Sequence, residues 1–213
     1  MGPRRHSKNL DKQFGYRINK IENKLSQKYR EYDLYERPDE KKKHFPGCEA
    51  WIGLDPGALQ TPYSEIFHAF NFLKDFKVDR IVDIGAGYGR VAFVMNAVFP
   101  YCEFIGFEIV KKRQAEGQRV FDNMCFPNSS LVNENVLNSA FELPSADIYF
   151  IYDFSESGDL DIILKQLDRI RAHRSFYLIA KGDRVASLMA TKYASYKNLY
   201  EVKSHTSLTV FTS

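Results

Sequence analysis

The residues that could do chemistry in this chain are carboxylates set beside glycines. Asp83 stands two positions before Gly85, and Gly87 and Gly89 follow at alternate positions in the run R-I-V-D-I-G-A-G-Y-G-R from Arg80 to Arg90. Glycine admits positive φ and, having no Cβ, lets backbone N–H groups come close to a bound group. A helix beginning there adds the positive end of its dipole. Glu108 closes a second apolar run, E-F-I-G-F-E. It lies about 20 residues past the glycines, where a carboxylate can accept hydrogen bonds from ribose hydroxyls. The third carboxylate, Asp153, ends D-I-Y-F-I-Y-D-F from Asp147 to Phe154. Such a set suits gripping a nucleoside and holding a polar group beside it. No histidine occupies an evident catalytic position: His68, His173 and His205 read as surface or core residues.

Positioning these groups requires strand, turn and helix in succession. Ile81, Val82 and Ile84 are β-branched and suit a strand buried on both faces. Val91, Ala92, Val94 and Met95 then recur at helical spacing. A dinucleotide fingerprint would need its third glycine at position 90, which is Arg90, and the G-x-x-x-x-G-K-[ST] phosphate loop is absent. What stands is D-x-G-x-G-x-G with an acidic residue one strand further on. This pair of features resembles the class I S-adenosylmethionine (SAM)-dependent methyltransferases. The resemblance runs from Thr61 to the C-terminus. It implies an α/β fold: a Rossmann-like, doubly wound seven-strand sheet in the order 3-2-1-4-5-7-6, with SAM as cofactor and S-adenosylhomocysteine as product.

The same resemblance implies roles for individual residues. Asp83, Gly85, Ala86, Gly87 and Gly89 form the cofactor turn, and Glu108 and Ile109 hold the sugar side. The segment T-P-Y-S-E-I from Thr61 is similar to a polar turn of the non-SET protein-lysine methyltransferases that closes over the methionine end of SAM. On that likeness Thr61, Tyr63 and Ser64 line the pocket; read from the residues alone, Thr61 caps a helix that Pro62 starts. After a third strand at Ser130-Leu131-Val132, either Glu134 or Asn135 meets the adenine amino group, since an amide carbonyl accepts that bond as a carboxylate does. The end of the fourth strand faces the transferred methyl group and places Tyr152, Asp153 and Phe154 as catalytic residues. The [DNS]-P-P-[FYW] motif of nucleic-acid amino-methyltransferases is missing there. The activity implied is methyl transfer to an amine, with a protein lysine favoured. A small-molecule acceptor or a non-catalytic SAM-binding regulator are the alternatives.

The rest of the 213 residues frames this domain. Residues 1–45 hold 13 Lys/Arg against 7 Asp/Glu, while the whole chain is only +3, so the basic character belongs to the N-terminal part. Residues 1–7 are expected to fray. From Lys8 to Tyr35, Leu10, Phe14, Ile18, Ile21, Leu25, Tyr29, Tyr32 and Tyr35 recur at steps of three and four, which predicts one long helix. Such a helix either packs on the core or serves as a basic arm docking an acidic partner, a version weakened by the interleaved Glu22, Glu31 and Asp33; a protein substrate is the partner expected, and nucleic acid, though suited to a basic arm, is less favoured because the strand-four motif is missing. A Pro/Gly-punctuated linker follows, carrying Trp51 and the Lys41-Lys42-Lys43 run. The organisation expected is an arm and linker over 1–57 and a methyltransferase domain over 58–213. Cys48, Cys102 and Cys125 lack C-x-x-C spacing, which gives no metal site and suits a reducing, cytoplasmic setting. No apolar run has the length of a membrane helix.

Overall fold

The computed structural model describes residues 2–35, 51–55, 57–203 and 206–213, with side chains over these ranges except 29–35. Most of the linker, including the Lys41-Lys42-Lys43 run and Cys48, lies outside the described residues, as do His205 and the side chains of Tyr29, Tyr32 and Tyr35. The five parallel strands are β1 (Arg80–Ile84), β2 (Glu103–Glu108), β3 (Ser129–Asn133), β4 (Ile148–Tyr152) and β5 (Tyr177–Lys181). A terminal hairpin, β6 (Lys197–Val202) and β7 (Leu208–Thr212), completes the sheet with β7 antiparallel to β5. The order is β3-β2-β1-β4-β5-β7-β6, the topology that the resemblance implied.

Both faces of the central strands are buried, which is why their sequences read as continuous apolar runs. Along β1, Ile81 enters one core layer and Val82 the other; along β4, Ile148 and Phe150 enter the first and Tyr149 and Ile151 the second. The first layer meets α3 (Tyr63–Leu73), α4 (Arg90–Val98) and α5 (Lys111–Asn123) through Ile66, Phe70, Phe93 and Phe121. The second meets α6 (Ser157–Arg171) and α7 (Asp183–Thr191) through Leu160, Ile163, Leu164, Val185 and Met189. On α5, Ala115 is exposed, and Arg113 and Gly117 take the inner side with Val120 and Phe121.

The N-terminal part departs from the sequence reading in two ways. It forms two helices, α1 (Pro3–Gln13) and α2 (Ile18–Tyr35), instead of one. Gly15 at φ +80° supplies the left-handed turn that ends α1. Residues 3–7 are helical, not frayed, because α1 has tertiary partners: Ser7 is 1% exposed and accepts the Tyr63 N–H at 3.1 Å. Phe14 stacks on Phe93, and Tyr16 donates to the Tyr88 carbonyl at 2.9 Å. Among the described residues no helix is long and apolar enough to cross a membrane.

Candidate active site

A cleft of about 260 Å³ opens where β1 and β4 lie side by side and the connections leave in opposite directions. Ligands of open α/β sheets sit at such switch points, beyond the carboxyl ends of the strands. The turn after β1 forms its floor. Gly85 and Ala86 donate to the Phe107 carbonyl at 3.0 and 2.8 Å, which folds the turn back onto β2. Gly85 has φ +76°, and a Cβ there would stand 2.4 Å from Phe154 Cβ, so glycine is what lets the end of β4 approach the turn.

Glu108, at the end of β2, is wired to this turn. Its Oε2 accepts the Gly87 N–H at 2.8 Å and its Oε1 the Val110 N–H at 2.7 Å. Each carboxylate oxygen keeps a lone pair for a further donor. Burial raises the Glu108 pKa, while Arg113 and the two N–H groups work against that rise. Glu134 and Asn135 both line the cleft beside Glu108, whose carbonyl accepts the Glu134 N–H at 3.2 Å, with Ile109, Val136 and Leu137 as apolar neighbours. Glu134 accepts the Asn135 N–H at 2.9 Å, and Asn135 Oδ1 accepts the Leu137 N–H at 3.0 Å.

Asp83 lies below the turn, 3% exposed, with its pKa raised well above the ordinary value by burial and then by the Glu108 charge. It lines a small side cavity of about 30 Å³ together with Thr61, Ala86 and Arg90. That cavity shares Gly85 and Tyr152 with the main cleft. Thr61 does not cap α3: the residue at the N-cap is Pro62, and the Thr61 hydroxyl is buried with no hydrogen-bond partner among the described residues. Tyr63 does not line the cleft as the resemblance implied. Its hydroxyl donates to Asp11 on α1 at 3.0 Å and its ring packs on Phe14 and Phe93, so it belongs to the arm contact and not to the cleft wall. Gly89 likewise sits beneath the cleft, starting α4 against Phe121.

At the end of β4, Tyr152, Asp153 and Phe154 all line the cleft. Tyr152 donates to the Ala58 carbonyl at 2.9 Å, which ties the linker to the sheet. Asp153 accepts the Arg184 and Val185 N–H groups at 3.0 and 2.9 Å and so caps α7 from outside that helix. Burial raises its pKa, and these two bonds oppose the rise.

Several residues around the cleft were not singled out in the sequence. Glu22 on α2, 3% exposed, accepts the Tyr88 hydroxyl at 2.7 Å and is paired with Arg113 through Nε at 2.7 Å and Nη2 at 3.0 Å. Arg113 Nη2 also donates to the Trp51 carbonyl at 3.2 Å. The Arg184 guanidinium lies 4.8 Å from the centre of the Trp51 ring, and both residues line the cleft. Lys181, at the end of β5, is ion-paired with Glu65 beneath the Tyr152 ring, and burial lowers its pKa. The only local signal for these was a charged residue inside or at the end of an apolar run, as in F-Y-L-I-A-K.

A nucleoside carrying a sulfonium and an amino-acid tail fits this donor and acceptor set. Glu108 can take two further donors, the apolar wall suits a flat base, and the Thr61 hydroxyl, without a partner among the described residues, lines the side cavity together with Asp83. No protein-family model and no curated protein matches the chain. Solved structures do. A SAM-dependent methyltransferase from Aquifex aeolicus matches with TM-score 0.54 and 14% identity, over 75% of this chain and 98% of that one. The precorrin-6y C5,15-methyltransferase from Geobacter metallireducens matches with TM-score 0.57 and 18% identity, over 72% of this chain and 89% of that one. Identities this low speak to architecture alone, and the architecture is plain: the chain has the Rossmann-like fold of the class I SAM-dependent methyltransferases.

Proposed function

We propose that this chain is a SAM-dependent methyltransferase whose acceptor is an amine, the side chain of a protein lysine. The observation that carries this reading is the make-up of the cleft at the end of β4. Aromatic side chains, Trp51, Tyr152 and Phe154, share the wall with the carboxylates Asp153 and Asp183, whose two charges exceed that of Arg184 beside them on Trp51. Such a wall attracts an ammonium group through its charges and aromatic faces and then strips its water.

SAM supplies an electrophilic methyl group on a sulfonium, and the chain's own task is alignment and proton control. Alignment alone can be worth effective molarities of about 10⁵–10⁸ M. In this reading Glu108 fixes the sugar, and either Glu134 or Asn135 meets the adenine amino group. Asp83 and Thr61 receive the amino-acid end. A lysine amine must be neutral to attack; with a pKa of about 10.4, deprotonation at pH 7 costs roughly 4.6 kcal/mol. Desolvation between Trp51, Tyr152 and Phe154 reduces that cost. Asp153, through a lone pair not used by α7, orients the amine.

The test is incubation of the full chain with methyl-labelled SAM and a cell extract, followed by separation of labelled protein from labelled small molecules and amino-acid analysis of the protein. Methyl-lysine is the expected product. Label confined to small molecules would replace the acceptor class. Absence of SAM binding in calorimetry, with NAD as the comparison, would sink the methyl-transfer reading.

A further inference from the structure

A second depression, a groove of about 600 Å³, runs between α1 and the start of α2. Its described lining includes Arg5, Lys8 and Lys12 from α1 and Arg17 and Lys20 from the turn and α2, all exposed. Positions 5, 8 and 12 fall on one face of a helix, so three of these cations form a stripe. The acids nearby do not cancel them. Asp11 is held by Arg90, and Glu116 is held by Arg119 and the Arg17 N–H. Asp55 accepts the Gly57 N–H at 2.7 Å and stands 4.0 Å from Lys8. The positive end of the 18-residue α2 adds to the same field.

The groove is joined to the cleft. Gln60 lines both, with Gly57 on the groove side and Ala58 on the cleft side. We propose that this groove docks an acidic polypeptide segment flanking the lysine that enters the cleft. The identity of the partner rests on the lysine reading above; the preference for a polyanion rests on the groove alone. A polypeptide is favoured over single-stranded nucleic acid because the described groove offers no exposed ring on which a base could stack. Its one aromatic, Tyr16, is 8% exposed with its hydroxyl bound to Tyr88. Opposite charges at the two sites, basic in the groove and acidic at the end of β4, would set the direction in which such a segment lies.

The full chain is titrated into fluorescently labelled decaglutamate and, separately, decauridylate RNA, with anisotropy as the readout at low ionic strength. Decaglutamate is expected to bind more tightly than the RNA. The triple variant Lys8→Gln, Lys12→Gln, Lys20→Gln should weaken it by about tenfold, the scale of a few partly screened ion pairs. Lys8→Arg, Lys12→Arg, Lys20→Arg should retain it, and SAM affinity should be equal in all three proteins. The proposal is overturned if the wild-type chain does not bind decaglutamate, if the glutamine variant binds it equally well, or if the RNA binds more tightly. Decaglutamate binding without any labelled protein in the extract would leave the groove standing and remove lysine methylation, so the two readings fail separately.

Discussion

At the scale of the residue, Glu108 ties the glycine turn to the start of α5 by accepting the Gly87 and Val110 N–H groups. Glu108→Gln keeps the volume but gives up one acceptor oxygen and the charge. Charged hydrogen bonds are worth about 1.5–3 kcal/mol each, so SAM affinity in calorimetry should fall by roughly 10- to 100-fold. pH acts on the same group. Burial raises the pKa of both Glu108 and Asp83. A carboxyl with a raised folded pKa favours the protonated folded state, so its stabilising contribution is present below the unfolded pKa and is lost as pH rises through the folded one. Ribose hydroxyls need the ionised acceptor form. SAM affinity should therefore decline on acidification at a pH above the ordinary carboxylate values of about 3.9–4.3, while the thermal stability of the free chain is spared the same early loss. Calorimetric titrations across pH check the first expectation and melting curves the second. Asp83, Gly85 and Glu108 were legible because strand period and glycine chemistry are local. Tyr63 was misplaced because the partner of its hydroxyl, Asp11, lies 52 residues away.

At the scale of the element, the junction of β4 and α7 carries two duties on one side chain. Asp153 ends a strand, lines the cleft and caps a helix that begins 30 residues later at Asp183. Asp153→Ala should cost about 1–2 kcal/mol through two orphaned N–H groups and lower the melting temperature by a few degrees. Turnover tests its other duty. If the variant binds SAM normally and methylates at the wild-type rate, Asp153 is a cap and takes no part in orienting the amine. The strands themselves were readable within a residue or two, since burial on both faces leaves unbroken apolar runs. The helix α7 was equally readable; what left no mark beside it is its cap, which comes from another element.

At the scale of the whole molecule, α1 and α2 are built into the methyltransferase-like domain by buried ion pairs, Asp11 with Arg90 and Glu22 with Arg113. Removing one partner of a buried pair leaves an uncompensated charge and costs about 3–5 kcal/mol. Glu22→Ala should destabilise the fold on that scale and weaken SAM binding as well, because Tyr88 and Arg113 are released together at the cleft wall; Glu22→Gln should do both more mildly. Denaturant melts and calorimetry on the two variants check this. For the same reason a truncation of the arm would disturb the cleft, and point changes in the groove are the cleaner probe of docking. The sequence by itself determined the glycine turn, the carboxylate at the end of β2 and the basic character of the N-terminus, because each follows from local periodicity, a conformational need of one residue or a sum of charges; the strand order came with the resemblance those motifs carry. Only the tertiary structure decided that the N-terminal part is two helices clamped to the domain, that Glu22 pairs with Arg113 at the cleft wall and Lys181 with Glu65 under the Tyr152 ring, and that Tyr63 lies outside the cleft. Those outcomes depend on which buried charges meet across the fold, and one-dimensional spacing carries no record of such meetings.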